Sequence, residues 1–109
     1  MIQYISEFVG TFILIVVILI SMGDKNPFGH VGPIAIGLAL TTAMFASGTL
    51  STTLNGGHYN PIVTMVSVMN KTLTFDEALP FFMAQIFAGV LALSYTERLQ
   101  LVGSSSNDL

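Results

Sequence analysis

The sequence predicts an all-α membrane protein: three transmembrane helices plus a re-entrant loop that carries a half-length helix. Three observations predict it. Of 109 residues, 52% are hydrophobic and only 8% charged, where soluble domains carry about 25% charged residues. The mean hydropathy is +0.77, and a soluble domain this short hides too small a share of its surface to bury so much apolar area. The charged residues also fall between long uncharged runs, Phe8 to Gly23, Asn26 to Asn70 and Ala78 to Tyr95, on the scale of one or two of the roughly 20-residue segments that cross a bilayer. The length allows one domain.

The first span is expected over about residues 4–23. Phe8 to Gly23 holds no charge, and the residues before Glu7 extend that run to spanning length. Met1 to Glu7 contains no Lys or Arg, so the basic start of a secretory signal is missing and a retained membrane helix is expected. Asp24-Lys25-Asn26-Pro27 reads as a loop, two charges and a turn dipeptide. That Asn-Pro is a decoy, because its neighbours are charged and nothing resembling a half-helix comes after it.

From Asn26 to Asn70 there is no Asp, Glu, Lys or Arg. The run is too long for one span and has no charged break for two. Residues 31–50 are apolar and fit the second helix, whereas Ser51 to Asn60 is polar yet uncharged. Pro61 to Met69 is apolar again but short, and at ~1.5 Å per residue it rises about 14 Å, near half the hydrocarbon thickness. Helix, polar uncharged loop, half-length helix is the order of a re-entrant segment. Such backbone is tolerated in a membrane only where protein or a water-filled cavity surrounds it.

Lys71 to Glu77 is a polar connection, with Asp76 and Glu77 near the start of the next helix, where acidic residues suit the helix dipole. The third span is expected over 78–98, with Pro80 in its first turn. Residues 103–109 form a polar tail, expected to be disordered, which leaves residues 1–102 as a single unit. Ala35, Ala39 and Ala43 line one face of the second span, and Ala84, Ala88 and Ala92 one face of the third. Lipid gives helices no hydrophobic reason to associate, so close packing over small residues takes its place.

Several functions are excluded by composition. Three basic residues make no phosphate-binding patch, so no nucleic-acid partner is expected. There is no cysteine, hence no disulfide framework or thiol chemistry. No nucleophile–base pair, carboxylate pair or nucleotide loop marks an enzyme. A metal site is not expected, because His30 and His58 lie in different loops with no acidic cluster nearby. No cofactor is implied.

Asn60-Pro61 is the most informative pair. Asn is a favoured N-cap and Pro a favoured first helical residue. On its own the dipeptide also describes an ordinary helix beginning at a surface turn. In a re-entrant loop it would place the N-terminus of a helix, with about half a positive charge and unpaired N–H groups, at mid-membrane. Such an end repels cations and donates hydrogen bonds to water. Gly56 and Gly57 allow the loop positive φ and close backbone approach. His58 is open to three roles, packing within the loop ahead of ligand binding or pH sensing. Glu7 lies at a membrane segment, where an ionisable residue is a functional candidate. Gln85, a polar residue inside the third span, needs a partner.

Taken together, Glu7-Phe8-Val9-Gly10-Thr11-Phe12, then Gly56-Gly57-His58-Tyr59-Asn60-Pro61-Ile62-Val63-Thr64, then Ala84-Gln85-Ile86-Phe87-Ala88-Gly89 resemble, in order and spacing, the first half of the aquaporin and aquaglyceroporin family. The resemblance covers about residues 4–96. It implies an integral, multi-pass membrane channel for passive flow of water or small neutral solutes such as glycerol. Asn60 would donate to permeating water, Pro61 would start the half-helix, and Glu7 would accept hydrogen bonds from the loop backbone. Gly56, Gly57 and His58 would line the loop, with Gln85 supporting it. Three positions depart from the family pattern: Ile62 stands for the usual alanine, Asn55 for a small residue, and Leu40 for an aromatic of the outer selectivity filter.

The family builds its pore from two inverted repeats, whereas the second Asn-Pro signature and its following arginine are absent from these 109 residues. Polar groups of a lone half-repeat would lie unpaired in lipid at several kcal/mol each. A partner is therefore expected: a second copy, as a homo-oligomer or antiparallel dimer, or a complementary second half. In the family's topology Lys71 would face Lys25 and Arg98 across the membrane, so orientation is weakly specified. The alternative is a non-conducting membrane protein or fragment that assembles with or modulates full-length channels.

Overall fold

The computed structural model describes the backbone of residues 2–50 and 57–107 and the side chains of 2–46 and 57–99. All regular structure among them is helical. Helix α1 is Ile2–Met22, α2 Gly32–Leu50, α3 Pro61–Met69 and α4 Phe75–Asn107. Three helical stretches, Ile2–Met22, Gly29–Ala46 and Phe75–Leu99, are long and apolar enough to cross a membrane.

Local chemistry sets the helix ends. The decoy at Asn26-Pro27 is a small turn: Asn26 Oδ1 accepts from the Phe28 N–H at 2.8 Å, and its Nδ2 donates to the Gly29 carbonyl. A 3-10 turn over Gly29–Val31 comes next, leading into α2. The end of α3 is a two-bond C-terminal motif in which Lys71 N donates to Val68 O and Thr72 N to Ser67 O. Lys71 takes φ +67° there, the left-handed conformation such caps require.

Helix α4 starts earlier than the predicted residue 78. Thr74 Oγ1 accepts from Glu77 N, while Glu77 Oε2 accepts from both Thr74 N and Thr74 Oγ1, a reciprocal cap that begins the helix at Phe75. Pro80 is therefore not in the first turn, as its predicted place required, but inside the helix, where it withholds the N–H that would reach the Asp76 carbonyl. The helical backbone runs on through Asn107, past the predicted end at 98 and into the expected polar tail, with no proline after Pro80 to stop it.

Helix α1 packs against both α2 and α4, and α3 packs against α4. The face that α4 turns inward is Ala78, Phe81, Gln85, Ala88, Ala92 and Thr96, all buried, spaced three or four residues apart as one helical stripe requires. Ala88 and Ala92 are fully buried, so the alanine ladder of the third span is a packing face. On α1 the buried stripe is Glu7, Gly10, Thr11 and Leu14. Two small apolar clusters result. Leu14, Ala43 and Tyr59 join α1 and α2 to the segment before α3; Leu73, Ala78 and Phe81, with Tyr4 and Val68, join α1, α3 and α4. Most remaining large apolar side chains, among them Ile34, Leu38, Phe45, Met83 and Phe87, are exposed. In water that would be untenable, and in a bilayer it is the lipid-facing or partner-facing surface.

Candidate functional site: a carboxylate-anchored half-helix

Asn60, in extended conformation, caps α3: its Oδ1 accepts from the Ile62 N–H at 2.9 Å, and Pro61 is the first helical residue. That cap is worth about 1 kcal/mol. With Oδ1 committed to the helix, the Nδ2 group remains the side chain's donor, and Asn60 is exposed. Ile62, beside it, is 67% exposed.

What fixes this cap is a carboxylate on another helix. Glu7 is 0% exposed. Its Oε1 accepts from His58 N at 2.6 Å, and its Oε2 accepts from Tyr59 N at 2.8 Å and Gln85 Nε2 at 3.3 Å. A buried carboxylate is costly unless paired or well hydrogen-bonded, and here three N–H donors from the loop and α4 supply that compensation. Bonds to an ionised acceptor are roughly twice as strong as neutral ones, so the backbone just before Asn60 is tied firmly to α1.

Thr64, fully buried on α3, is the second hub. Its hydroxyl accepts from Gln85 Nε2 at 2.8 Å, lies 3.0 Å from His58 Nδ1 and reaches back to the Asn60 carbonyl at 3.4 Å. The His58 ring also packs on Phe81, with centroids 5.3 Å apart. Gln85 thus links both hubs through a single nitrogen, while its Oε1 is buried without a partner, as is Thr11 Oγ1 one turn beyond Glu7.

Two positive φ values shape the approach to the cap, Gly57 at +84° and Tyr59 at +54°. Glycine takes the first at no steric cost. A tyrosine in that region costs roughly 1–2 kcal/mol, and several contacts hold it there. Its N–H is bound by Glu7, and its hydroxyl donates to the Ala43 carbonyl at 2.9 Å. Its ring lies over Gly10, where a Cβ would sit 2.2 Å from a ring carbon.

Of the residues singled out in the sequence, Glu7, His58, Asn60 and Gln85 come together in one hydrogen-bonded assembly, with Gly57 on the chain leading to it, Pro61 as the first helical residue after it and Ile62 at its exposed edge. Leu40 stands apart from these bonds: it is half-buried and packs against the Leu14–Ala43–Tyr59 cluster. Gly56 and Asn55 lie outside the described residues. Sequence reasoning gave no role to Thr64, Tyr59 or Gly10. The signals for them were the position of Thr64 four residues after the cap, one helical turn on, and that of Gly10 three residues after Glu7, on the same face of α1. Among the described residues no three His, Asp or Glu side chains converge to hold a metal ion.

An all-helical bundle with three helices of membrane-spanning length, and a short helix capped by Asn-Pro and pinned by a buried glutamate, defines an integral membrane protein. The chain belongs to the major intrinsic protein family, whose model matches residues 1–105. It is 34% identical over 94 residues to "Glycerol uptake facilitator protein-like 6" of Lactiplantibacillus plantarum, covering 83% of this chain and 40% of that protein. It is 31% identical to an "Aquaporin Z" of Photorhabdus laumondii (80% of this chain, 38% of that protein) and 33% identical to human "Aquaporin-9" (80% and 30%). The chain thus spans 40% or less of the length of these three relatives. No solved structure matches it.

Proposed function

We propose that the chain supplies one half of an aquaporin-like channel for passive movement of water or small neutral solutes such as glycerol. One observation carries the reading: the exposed Asn60 amide stands at the N-terminus of a nine-residue helix and is held there by a buried carboxylate on α1. In this reading the segment from Gly57 through α3 belongs to a re-entrant loop, and α3 begins near the membrane centre. Its N-terminus, with about half a positive charge, repels cations and hydrated protons. Asn60 Nδ2 donates to the oxygen of a passing water or alcohol. Such a neutral solute makes and breaks these bonds without leaving a charge behind.

The half-helix needs a complement. The exposed apolar side of α3, formed by Ile62, Val63, Met65, Val66 and Met69, then meets a second half, either an antiparallel second copy or a complementary segment. Ile62 sets the width at that meeting point, where a larger side chain than alanine separates the halves. The names of the relatives, an aquaporin and a glycerol facilitator, support both solute classes and do not choose between them.

The chain's coverage of 40% or less of these relatives' length also favours a second reading, a non-conducting subunit or fragment that assembles with or modulates full-length channels. Osmotic shock of liposomes holding the purified chain separates the two. The channel reading expects faster shrinkage than in protein-free liposomes and altered selectivity in Asn60→Asp. Shrinkage no faster than in empty liposomes, with the chain confirmed as inserted, leaves only the second reading.

A further inference from the structure

We infer that Tyr59 is a positioning residue, a strut that sets the lateral placement of the Asn60 cap against α2. Tyr59 touches two helices at once. Its backbone N–H is held by Glu7 of α1, its ring fills the notch over Gly10 of α1, and its hydroxyl donates to the Ala43 carbonyl of α2. It is among the largest fully buried side chains of the molecule, yet it sits outside any helix, in a left-handed conformation that disfavours a tyrosine. A residue kept in such a conformation is over-determined by its surroundings.

Helix packing explains why a strut is needed. Helix α2 packs on α1, and α3 packs on α4; among the described residues α2 and α3 are not a closely packed pair. The cap must therefore be placed against α2 by something other than helix–helix contact. The Tyr59 side chain provides it, because Asn60 is the next residue and the Ala43 carbonyl is a fixed point on a rigid helix. The Gly10 notch decides how closely the ring approaches α1, and the phenol decides how far α2 stands from the loop. The consequence for permeation rests on the channel reading, in which a donor displaced by more than about 0.5 Å loses its geometry.

The test reads distances, so it does not depend on conduction. The full chain has no cysteine, so introduced pairs can be spin-labelled cleanly. One pair, at the exposed Met44 and Met65, reports α2 against α3; a control pair, at the exposed Ile5 and Met83, reports α1 against α4. Tyr59→Phe keeps the ring in its notch and removes the hydroxyl that donates to the Ala43 carbonyl. It is expected to broaden and lengthen the α2–α3 distance distribution in bicelles and to leave the α1–α4 distribution unchanged. Gly10→Ala, which pushes the ring out of the notch, is expected to shift the same α2–α3 pair further. An α2–α3 distribution in Tyr59→Phe that superimposes on the unmodified chain overturns the inference. So does an equal change in both pairs, which would mark Tyr59 as general packing.

Discussion

Replacing Glu7 with Gln keeps the size of the side chain and removes one of its two acceptor oxygens. If the remaining oxygen keeps His58 N–H, an amide group stands where Oε2 stood, facing the donors Tyr59 N–H and Gln85 Nε2. Two hydrogen bonds to a charged acceptor are lost at about 1.5–3 kcal/mol each, or about 3–6 kcal/mol together. Gln85 can recover part of this by turning its amide, because its buried Oε1 has no partner and would accept from the new amide. That turn returns about 1 kcal/mol but withdraws Nε2 from Thr64. That gain and that loss roughly cancel, so the net cost stays at about 3–6 kcal/mol, which is roughly a 150- to 20,000-fold change in the population of the detached loop. Hydrogen exchange of the chain in lipid bicelles reads it directly. In Glu7→Gln the amides of His58 and Tyr59 should exchange faster by about that factor, while amides in the middle of α1, such as Leu14, stay protected. Exchange at His58 and Tyr59 within about threefold of the unmodified chain would refute the anchoring role, since it corresponds to less than about 1 kcal/mol.

The same contacts lead to three further outcomes. Gly10→Ala places a carbon 2.2 Å from the Tyr59 ring and should destabilise the chain by about 1–3 kcal/mol as overpacking does; Tyr59→Ala in the same chain should relieve part of that loss, and strictly additive effects on thermal unfolding in detergent would contradict the clash. Thr64→Val keeps the shape of the side chain but removes the oxygen shared by His58, Gln85 and the Asn60 carbonyl; a loss of about 2 kcal/mol is expected, together with a changed chemical shift of His58 Nδ1, and an unchanged His58 spectrum would show that Thr64 does not hold the ring. Thr74→Ala breaks the reciprocal cap with Glu77 and should cost about 1 kcal/mol, read as faster exchange in the first turn of α4 with Thr74→Ser restoring protection; equal protection in all three chains would remove the cap as the reason α4 begins at Phe75.

The features legible in the sequence were local. Charge-free runs of spanning length mark the long helices because charge is expelled from hydrocarbon. Asn60-Pro61 marks the start of α3 because a cap and a first-turn proline act within two residues of each other. The two Asn-Pro pairs make the same side-chain bond to the N–H two residues on, so the dipeptide alone did not separate them. The residues after each pair did: Pro27 leads to a 3-10 turn with Gly29 at φ +56°, Pro61 to a nine-residue helix. Asp76 and Glu77, taken only as charges suited to a helix dipole, place the start of α4 too late, because it is the pairing of Thr74 with Glu77 that begins the helix at Phe75. The contacts of Tyr59 were hidden for a different reason. Left-handed backbone at a tyrosine arises from no propensity, and its partners Glu7 and Ala43 lie 52 and 16 residues away. The notch over Gly10 exists only once α1 is folded against the loop.

The claim most in need of test is that conduction belongs to an assembled pair of halves and not to one chain. Permeability of liposomes measured by stopped-flow light scattering, over a range of protein-to-lipid ratios, tests it most directly. If two chains build one pore, permeability above the protein-free value should rise with the square of chain density while most chains are single, then become linear once pairing saturates. A rise proportional to density from the most dilute liposomes, with the chains shown to be monomeric by cross-linking, would contradict the account.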